Sequence, residues 1–586
     1  MICRFGALRQ FILTMAIALV VATAAPAAAD GPATILDGNH PDEAAEVVGA
    51  TAASVSTPLA MRLTMALRRR DDLARLLVDQ QDPASSQYHR WLTPDAFTNR
   101  FGPTNADLAR VTRWLKKKGF TVKSADASTR EVSFSGTVAQ AQNVFGVKIA
   151  ATTDGHLYSN TGDPSVPAEL AQMVESIHGL DNLLHSQPMV HRASKPASGV
   201  SLPASVVNDN GPFFGPPDIY TFYNETPLLN ANIDGGGVGC IAVVEDSNID
   251  QPAADAFNTQ FGLPALTSSN FSTVLVDNSD PGVGADKDET MVDVSYSHAV
   301  APGSSIRMYL GDQKHTSSSA ILDAIHAAVT EKNSPCTAIS ISFSFCGGSK
   351  RFYKTQNGFF AQAAAQGQSV FVATGDTGAA GLKLSSGGRC VTGTSRNINE
   401  IGASPHVTAI GGTEFSPDYS GGSDVGSVSE SVWNDGDGAA GGGESKVFKK
   451  PAFQKGLIKK DKMRDVPDIS FGASPSTPGF FFGGRDNKNM PAVVCCIGGT
   501  SLGAPAWAGL SQLISQSNNA PIGNLNTKIY QLGAKADGAT TGIRDVISGN
   551  TSFNHVTGFS ATTGYDKASG WGTVDMSLFV PAYLAP

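Results

Sequence analysis

The period of hydrophobic positions changes between Val493 and Leu510, in the run VVCCIGGTSLGAPAWAGL. A β-branched apolar stretch up to Gly498-Gly499 predicts a buried strand, and the apolar segment after Ser501 predicts a helix with Pro505 in its first turn. Ser501 is thereby delivered to a helix N-terminus, close to backbone N–H groups and the positive end of the helix dipole. That placement suits a nucleophile, although an ordinary Ser/Thr helix cap gives the same local pattern. Upstream, from about Phe213, short apolar runs alternate with helical patterns. VGCIAVVED, SSIRMYL, CTAISISFSF, SVFVATGD and HVTAIGGTEF read as strands, and SSSAILDAIHAAVTEK and GFFAQAAAQGQ as helices. Such alternation predicts a parallel α/β sheet covered by helices on both faces, with sites at the carboxyl ends of strands. Asp376 and Ser501 both fall at predicted strand ends.

A smaller unit precedes it. PLAMRLTMAL reads as a strand and RRDDLARLLVDQQDP as a helix, and Thr93 is placed to cap a helix starting at Pro94. PTNADLARVTRWLKKKGF is an amphipathic helix with Leu108, Val111 and Leu115 on one stripe and Gly119 at its end. Two strands (FTVKSADA, REVSFSG), a helix (TVAQAQNVFG) and a last strand (VKIAATTDG) complete a β-α-β-β-α-β order, the sequence of a ferredoxin-like α+β domain. Residues 30 to about 56, rich in Ala, Gly and Pro, are expected to be loose. Residues 186–212 are rich in Ser, Pro and Ala without periodicity and read as an exposed, protease-accessible linker.

The N-terminus reads as an export signal over residues 1–29: Arg4 and Arg9, an apolar run from Phe11 to Val21, and Ala27 and Ala29 before Asp30. That run is short for a bilayer span, and no later segment is apolar enough to cross. The mature chain is expected to be secreted or periplasmic, monomeric and free of the membrane. At 586 residues with net charge −9, it is too long for one domain and has no basic excess to attract nucleic acid. Cys3 leaves with the signal. The six remaining cysteines suit disulfides, with adjacent Cys495 and Cys496 expected to bond to other partners. No C-x₂-C pattern supports zinc.

The base for Ser501 decides the chemistry. Gly499-Thr500-Ser501-Leu502-Gly503 matches the G-x-S-x-G elbow of α/β-hydrolases, for which Asp545 and His555 would complete a triad. Only a short Gly/Ser/Thr-rich tail follows, however, where that fold needs further strands. GTSLGAP and the strand around Asp246 instead resemble subtilisin-like enzymes, but no His-Gly pair lies between Asp246 and Ser501. In DKDETMVDVSYSHAVAPGSS, Glu289 and Asp293 are four residues apart and share a helix face. An acidic, solvated first turn would look the same, but Val292, Tyr296 and Val300 give this helix a core face.

These motifs resemble the sedolisin (kumamolisin) family of serine-carboxyl peptidases. The matching residues are Glu289 and Asp293 before HAVAP, Asp376 in TGDTGA and Ser501 in GGTSLGAP. SQYHRWLTPDAFTNRFGPT, WLKKKGF and SGTVAQAQNVFGV resemble the family's activation prodomain. The resemblance implies a subtilisin-like parallel sheet flanked by helices, preceded by a small α+β ferredoxin-like prodomain. It divides the chain into a prodomain over 30–185, a processing linker over 186–212 and a peptidase domain over 213–586. It implies an acid-active endopeptidase made as a zymogen, with peptide or protein substrates and its own prodomain as inhibitor. Ser501 would be the nucleophile, Glu289 its base, Asp293 the group orienting Glu289, and Asp376 a protonated oxyanion donor. A glutamate base with a reference pKa of about 4.3 works in acid, where histidine at about 6.5 is already protonated. The resemblance also implies a Ca²⁺ site in the C-terminal loops, from the carboxylates of Asp545 and Asp566 and the carbonyls of Val546, Thr562 and Gly564. Relatives usually carry glycine where Thr562 stands, and often Trp where Phe343 stands, while Glu245 matches an outer glutamate of the network. A tripeptidyl exopeptidase, the esterase using Ser501, Asp545 and His555, and an inactive secreted binding protein are the competing readings.

Overall fold

The computed structural model describes residues 32–193 and 213–585, apart from 316–318, 416–417, 421–422, 427–428, 459–460, 477–478 and 536. The expected signal segment and most of the linker lie outside the described residues.

The N-terminal unit follows the ferredoxin-like order, with one correction. Strand β1 (Pro58–Met65) leads through α1 (Arg70–Asp79) to α2 (Asn105–Lys117), β2 (Thr121–Asp126), β3 (Glu131–Thr137) and α3 (Val138–Phe145). The closing strand is β4 (Val174–His178), and the antiparallel sheet runs β2-β3-β1-β4. The expected last strand, around 147–155, instead pairs Ile149–Ala151 with Tyr158–Asn160 in a separate hairpin. An alternating apolar run identifies a strand but not its partner. Local signals elsewhere hold: Thr93 caps its helix by accepting from Ala96 N–H, and Thr104 and Asp107 form a capping box on α2. Leu108, Val111 and Leu115 are buried in this unit's own core with Phe134 and Phe145. Residues 32–56 are structured rather than loose. Ala33–Ile35 pairs with Ser165–Pro167, and Val47 and Val48 are buried. A few apolar residues suffice there because a neighbouring surface receives them.

Two short strands follow, β5 (His185–Pro188) and β6 (His191–Arg192). The large unit then builds an eight-stranded, mostly parallel sheet. Its strands are β7 (Cys240–Glu245), β8 (Phe271–Leu275), β9 (Ser305–Leu310), β10 (Ala338–Ile341), β12 (Ser369–Ala373), β13 (Thr408–Phe415), β14 (Glu430–Val432) and β15 (Ile469–Gly472). The order is β8-β9-β7-β10-β12-β13, with β15 parallel and β14 antiparallel to β13. Along β7, Ile241 and Val243 face one core while Ala242 and Val244 face the other, so the continuous apolar run is buried on both sides. Helices α4 (Lys287–Val300) and α7 (Gly503–Asn518) cover the first face; α5 (Ala320–Thr330) and α6 (Lys350–Ala365) cover the second. The expected strand CTAISISFSF is split at Ser342 into β10 and β11 (Phe343–Cys346), and β11 leaves the sheet to pair with β5.

The strand before Ser501 is not in the central sheet. β17 (Pro491–Gly498) pairs antiparallel with β16 (Gly479–Arg485) in a separate four-stranded sheet. Ser501 follows in a tight 3-10 turn ahead of α7, which is buried on every side from Gly503 to Ser515. A Cβ on Gly509 would come within 2.8 Å of Val300 Cβ, so this glycine lets α7 and α4 approach closely. Cys240 bonds to Cys336 and Cys346 to Cys390, which leaves Cys495 and Cys496 joined to each other rather than to other partners.

Candidate active site

Helix α4 presents Glu289 and Asp293 inward one turn apart, and both are fully buried. The turn before α7 presents Ser501, also fully buried, and the end of β12 presents Asp376, 6% exposed. All four converge on one cleft. The Ser501 hydroxyl faces the Glu289 carboxyl and lies 3.5 Å from the Ser342 carbonyl oxygen. Glu289 faces the Ser501 side chain and the Met189 backbone, but neither of its oxygens makes a well-formed hydrogen bond. Asp293 is anchored: Ser342 Oγ donates to its Oδ1 at 2.6 Å and Ser340 Oγ to its Oδ2 at 3.4 Å. Glu245 is fully buried behind it and accepts from Thr290 Oγ1 at 3.1 Å.

Four carboxyl groups thus share a desolvated pocket, and their protons are correspondingly hard to remove. Burial, then the Asp293 charge, raises Glu289 and Glu245 well above the ordinary carboxyl range. Burial lifts Asp293 to about 7, against the pull of its bonds to Ser342 and Glu245. Burial also lifts Asp376 to about 6, opposed first by nearby His191. A chain of buried carboxyls facing a hydroxyl can accept its proton and relay it. A carboxyl that stays neutral well below pH 6 can donate a hydrogen bond there.

Several residues of this cleft carried no signal in the sequence. Thr500 donates to Asp376 Oδ1 through both N–H and Oγ1, each at 2.8 Å, while its Oγ1 accepts from Gly375 N–H at 3.0 Å. The beginning of the presumed exposed linker is buried here: Met189 is 3% exposed, and its carbonyl accepts from Ser501 N–H at 3.4 Å. Ser342, next to Phe343, reaches the cleft through both its hydroxyl and its carbonyl.

His555 is exposed in a left-handed turn, remote in character from the buried Ser501. Asp545 instead accepts from Gly564 N–H at 2.7 Å, and Asp566 accepts from Thr562 N–H at 2.6 Å. The Asp545 carboxylate therefore ties together the two loops carrying the expected calcium ligands, while that of Asp566 closes its own loop. Val546 C=O accepts from Ser569 Oγ at 3.3 Å, and Thr562 lies outside the left-handed region, so its side chain costs no strain. Burial raises both Asp545 and Asp566. This all-oxygen donor set fits Ca²⁺. A second acidic cluster, Glu444, Asp461 and Asp465, is neutralised by Lys450 and Lys567.

A mostly parallel sheet flanked by helices, a buried serine facing carboxyl groups, and an α+β unit docked ahead of them define a class: a serine-carboxyl peptidase in precursor form. Residues 46–183 match the pro-kumamolisin activation domain. Sedolisin of Pseudomonas sp. (strain 101) is 26% identical over 536 residues, 88% of this chain and 86% of its own length. Tripeptidyl-peptidase 1 of Mus musculus is 24% identical, covering 90% of this chain and 92% of its own. The solved structure of Pseudomonas sedolisin complexed with two molecules of pseudo-iodotyrostatin superimposes with a TM-score of 0.51 at 23% identity, over 64% of this chain and 98% of that one. Residues 46–183 thus carry a pro-kumamolisin activation domain, and most of the chain is similar to the sedolisin-type serine-carboxyl peptidases.

Proposed function

We propose that this protein is an acid-active endopeptidase, exported as a zymogen, that cleaves peptide bonds through an acyl-enzyme on Ser501. Glu289 takes the hydroxyl proton as general base, and Asp293, held by Ser342, orients and polarises Glu289. The Ser501 N–H and a protonated Asp376 steady the oxyanion. The observation that carries this reading is the convergence of Ser501, Glu289, Asp293 and Asp376 in one buried cleft, with no imidazole needed as base.

Endopeptidase action is favoured over tripeptidyl exopeptidase action by the chain already seated in the cleft. Four residues ahead of Met189, His185 to Pro188, pair in continuous register with β11. A site releasing tripeptides must close beyond the third residue. The esterase reading lacks support, because Asp545 is committed to the Gly564 amide. An inactive binding protein would be expected to have lost one of the four positions, and all are filled.

In this reading the prodomain spans 30–185, the processing linker 186–212 and the peptidase domain 213–586, following an export signal over 1–29. Asp545 and Asp566, with the carbonyls of Val546, Thr562 and Gly564, would hold a structural Ca²⁺ that ties the C-terminal loops. The protein works outside the cytoplasm, in keeping with its disulfides; among the described residues no helix is long and apolar enough to cross a membrane. The direct test is hydrolysis of a denatured protein across pH 3–8 by wild type and Ser501→Ala. Activity in acid that vanishes in the variant supports the reading; equal activity at pH 8, where Asp376 is ionised, removes a protonated Asp376 as oxyanion donor.

A further inference from the structure

The segment 185–193 crosses the cleft as an extended strand. Ahead of Met189, β5 pairs antiparallel with β11, in the register Pro188–Phe343, Gln187–Ser344, Ser186–Phe345 and His185–Cys346. Met189 itself donates its N–H to the Ser342 carbonyl at 2.9 Å and accepts from Ser501 N–H at 3.4 Å. After it, β6 pairs antiparallel with β17, His191 opposite Gly498 and Arg192 opposite Ile497. Backbone on both sides is therefore clamped, and one carbonyl lies at the serine. A Cβ placed on Gly499 would meet Met189 O at 2.1 Å and Asp376 Oδ2 at 2.5 Å, so that carbonyl and the unpartnered carboxyl oxygen border the same small space.

We infer that the first bond this enzyme cuts is its own Met189–Val190 peptide bond, and that the subsites gripping this segment select substrates with an unbranched apolar residue before the cut and a cation third after it. The inference rests on the peptidase reading above. Ser501 Oγ attacks the Met189 carbonyl carbon while Glu289 takes the hydroxyl proton. The tetrahedral species collapses with cleavage of the Met189–Val190 C–N bond, and Glu289 returns the proton to the Val190 nitrogen. Water then hydrolyses the Met189 ester, leaving a carboxylate on Met189, free Ser501 and an amino terminus at Val190.

Side-chain contacts supply the selectivity. The Met189 side chain is buried against the end of β12, where a Cβ on Gly375 would come 3.8 Å from its sulfur. A flexible thioether suits such a buried pocket, and a carboxylate there would lose its hydration without a partner. Arg192 Nε donates to Asp288 Oδ2 at 2.7 Å, and its guanidinium lies 5.0 Å from the centre of the Phe482 ring.

Two measurements test this. Full-length precursor purified at neutral pH is brought to pH 4, quenched over a time course and read by intact mass and N-terminal sequencing. The earliest new terminus is expected at Val190, with a fragment ending at Met189. An earliest cut elsewhere, in an enzyme that does digest peptides, overturns the inference and leaves the peptidase reading standing. Absence of any proteolysis between pH 3 and 8, with wild type matching Ser501→Ala, overturns both. Independently of precursor folding, the mature enzyme is given His-Ser-Gln-Pro-Met-Val-His-Arg. Cleavage is expected between Met and Val, with kcat/KM at least tenfold lower when Met is replaced by Asp. Replacing Arg by Ala should cost about two- to fivefold, the range of an exposed ion pair, and Asp288→Asn should erase that difference. A peptide left whole, cut elsewhere, or indifferent to these changes overturns the assignment.

Discussion

Thr500 binds Asp376 through one carboxyl oxygen only: its N–H and Oγ1 both reach Oδ1 at 2.8 Å, and Oδ2 has no partner. Two donors mark Oδ1 as the accepting oxygen, which leaves the acid proton on Oδ2, on the side of the Met189 carbonyl. Burial lifts this carboxyl to about 6. Hydrogen-bond donation from it is complete well below pH 6 and fails above. Asp376→Asn places an NH₂ donor at the same point, one that does not titrate. Its activity at pH 4 should fall about tenfold, since an amide is the weaker donor, but the decline between pH 5 and 7 should flatten. A pH profile of kcat/KM checks this; a variant that keeps the wild-type decline would assign that limb to another group.

The base is tested one helical turn away. Glu289→Gln removes the proton acceptor while keeping the buried shape, and general-base losses run about 10²–10⁴ in rate. Asp293→Asn keeps the bond from Ser342 Oγ to Oδ1 but removes the titrating carboxyl beside Glu289, so a smaller loss in kcat is expected. Active-site titration with a serine-directed label should follow the same order.

Gly499 has φ of 108°, and a side chain there would sit 2.1 Å from Met189 O. Gly499→Ala is expected to abolish self-processing and to cost about 1–3 kcal/mol of stability from the strained backbone. Calorimetry separates the two effects: a midpoint near wild type with no processing shows that the Cβ blocks the cleft itself.

Prodomain docking should weaken on acidification through His178. Arg62 of β1 reaches Asp323 of α5 at 2.6 Å and Glu131 of β3 at 3.4 Å, and Glu131 lies 3.3 Å from His326. His178 sits beside this network and meets Phe352 edge-on. Burial first, then the Arg62 charge, lowers it from 6.5 to about 4, so the docked state favours neutral imidazole. Its contribution is full above pH 6.5 and is lost as pH falls through about 4. Glu131 is held near 2, mainly by Arg62 working against burial, and stays ionised over that range, so the histidine yields first. With Ser501→Ala to prevent cutting, His178→Gln should keep the prodomain bound at pH 4, where the parent releases it. Size-exclusion after nicking the linker with a second protease reads this out.

Chelation tests the C-terminal loops. If Asp545 and Asp566 hold Ca²⁺, EGTA should lower the unfolding midpoint by roughly 5 °C, given about 2.7 kcal/mol for a ligand at a hundred times its Kd. Asp545→Asn should show the lower midpoint without EGTA and little further change with it.

The order of strands and helices, the serine at a helix start, the glutamate–aspartate pair one turn apart and the aspartate at a strand end were all legible in the residues. Each depends on local periodicity or on side chains a few positions apart. The partner of a strand is not encoded that way, so the closing strand of the small domain and the separate sheet holding β17 emerged only from the fold. Thr500, Met189 and the joined cysteines were hidden for the same reason. Their roles come from main-chain groups and from proximity in space, which any residue sequence can provide and none advertises. What Ser501 can do was written in the chain; what it faces, and which of the protein's own peptide bonds lies across it, was decided by packing α7 against α4 and drawing residues 185–193 through the cleft between β11 and β17.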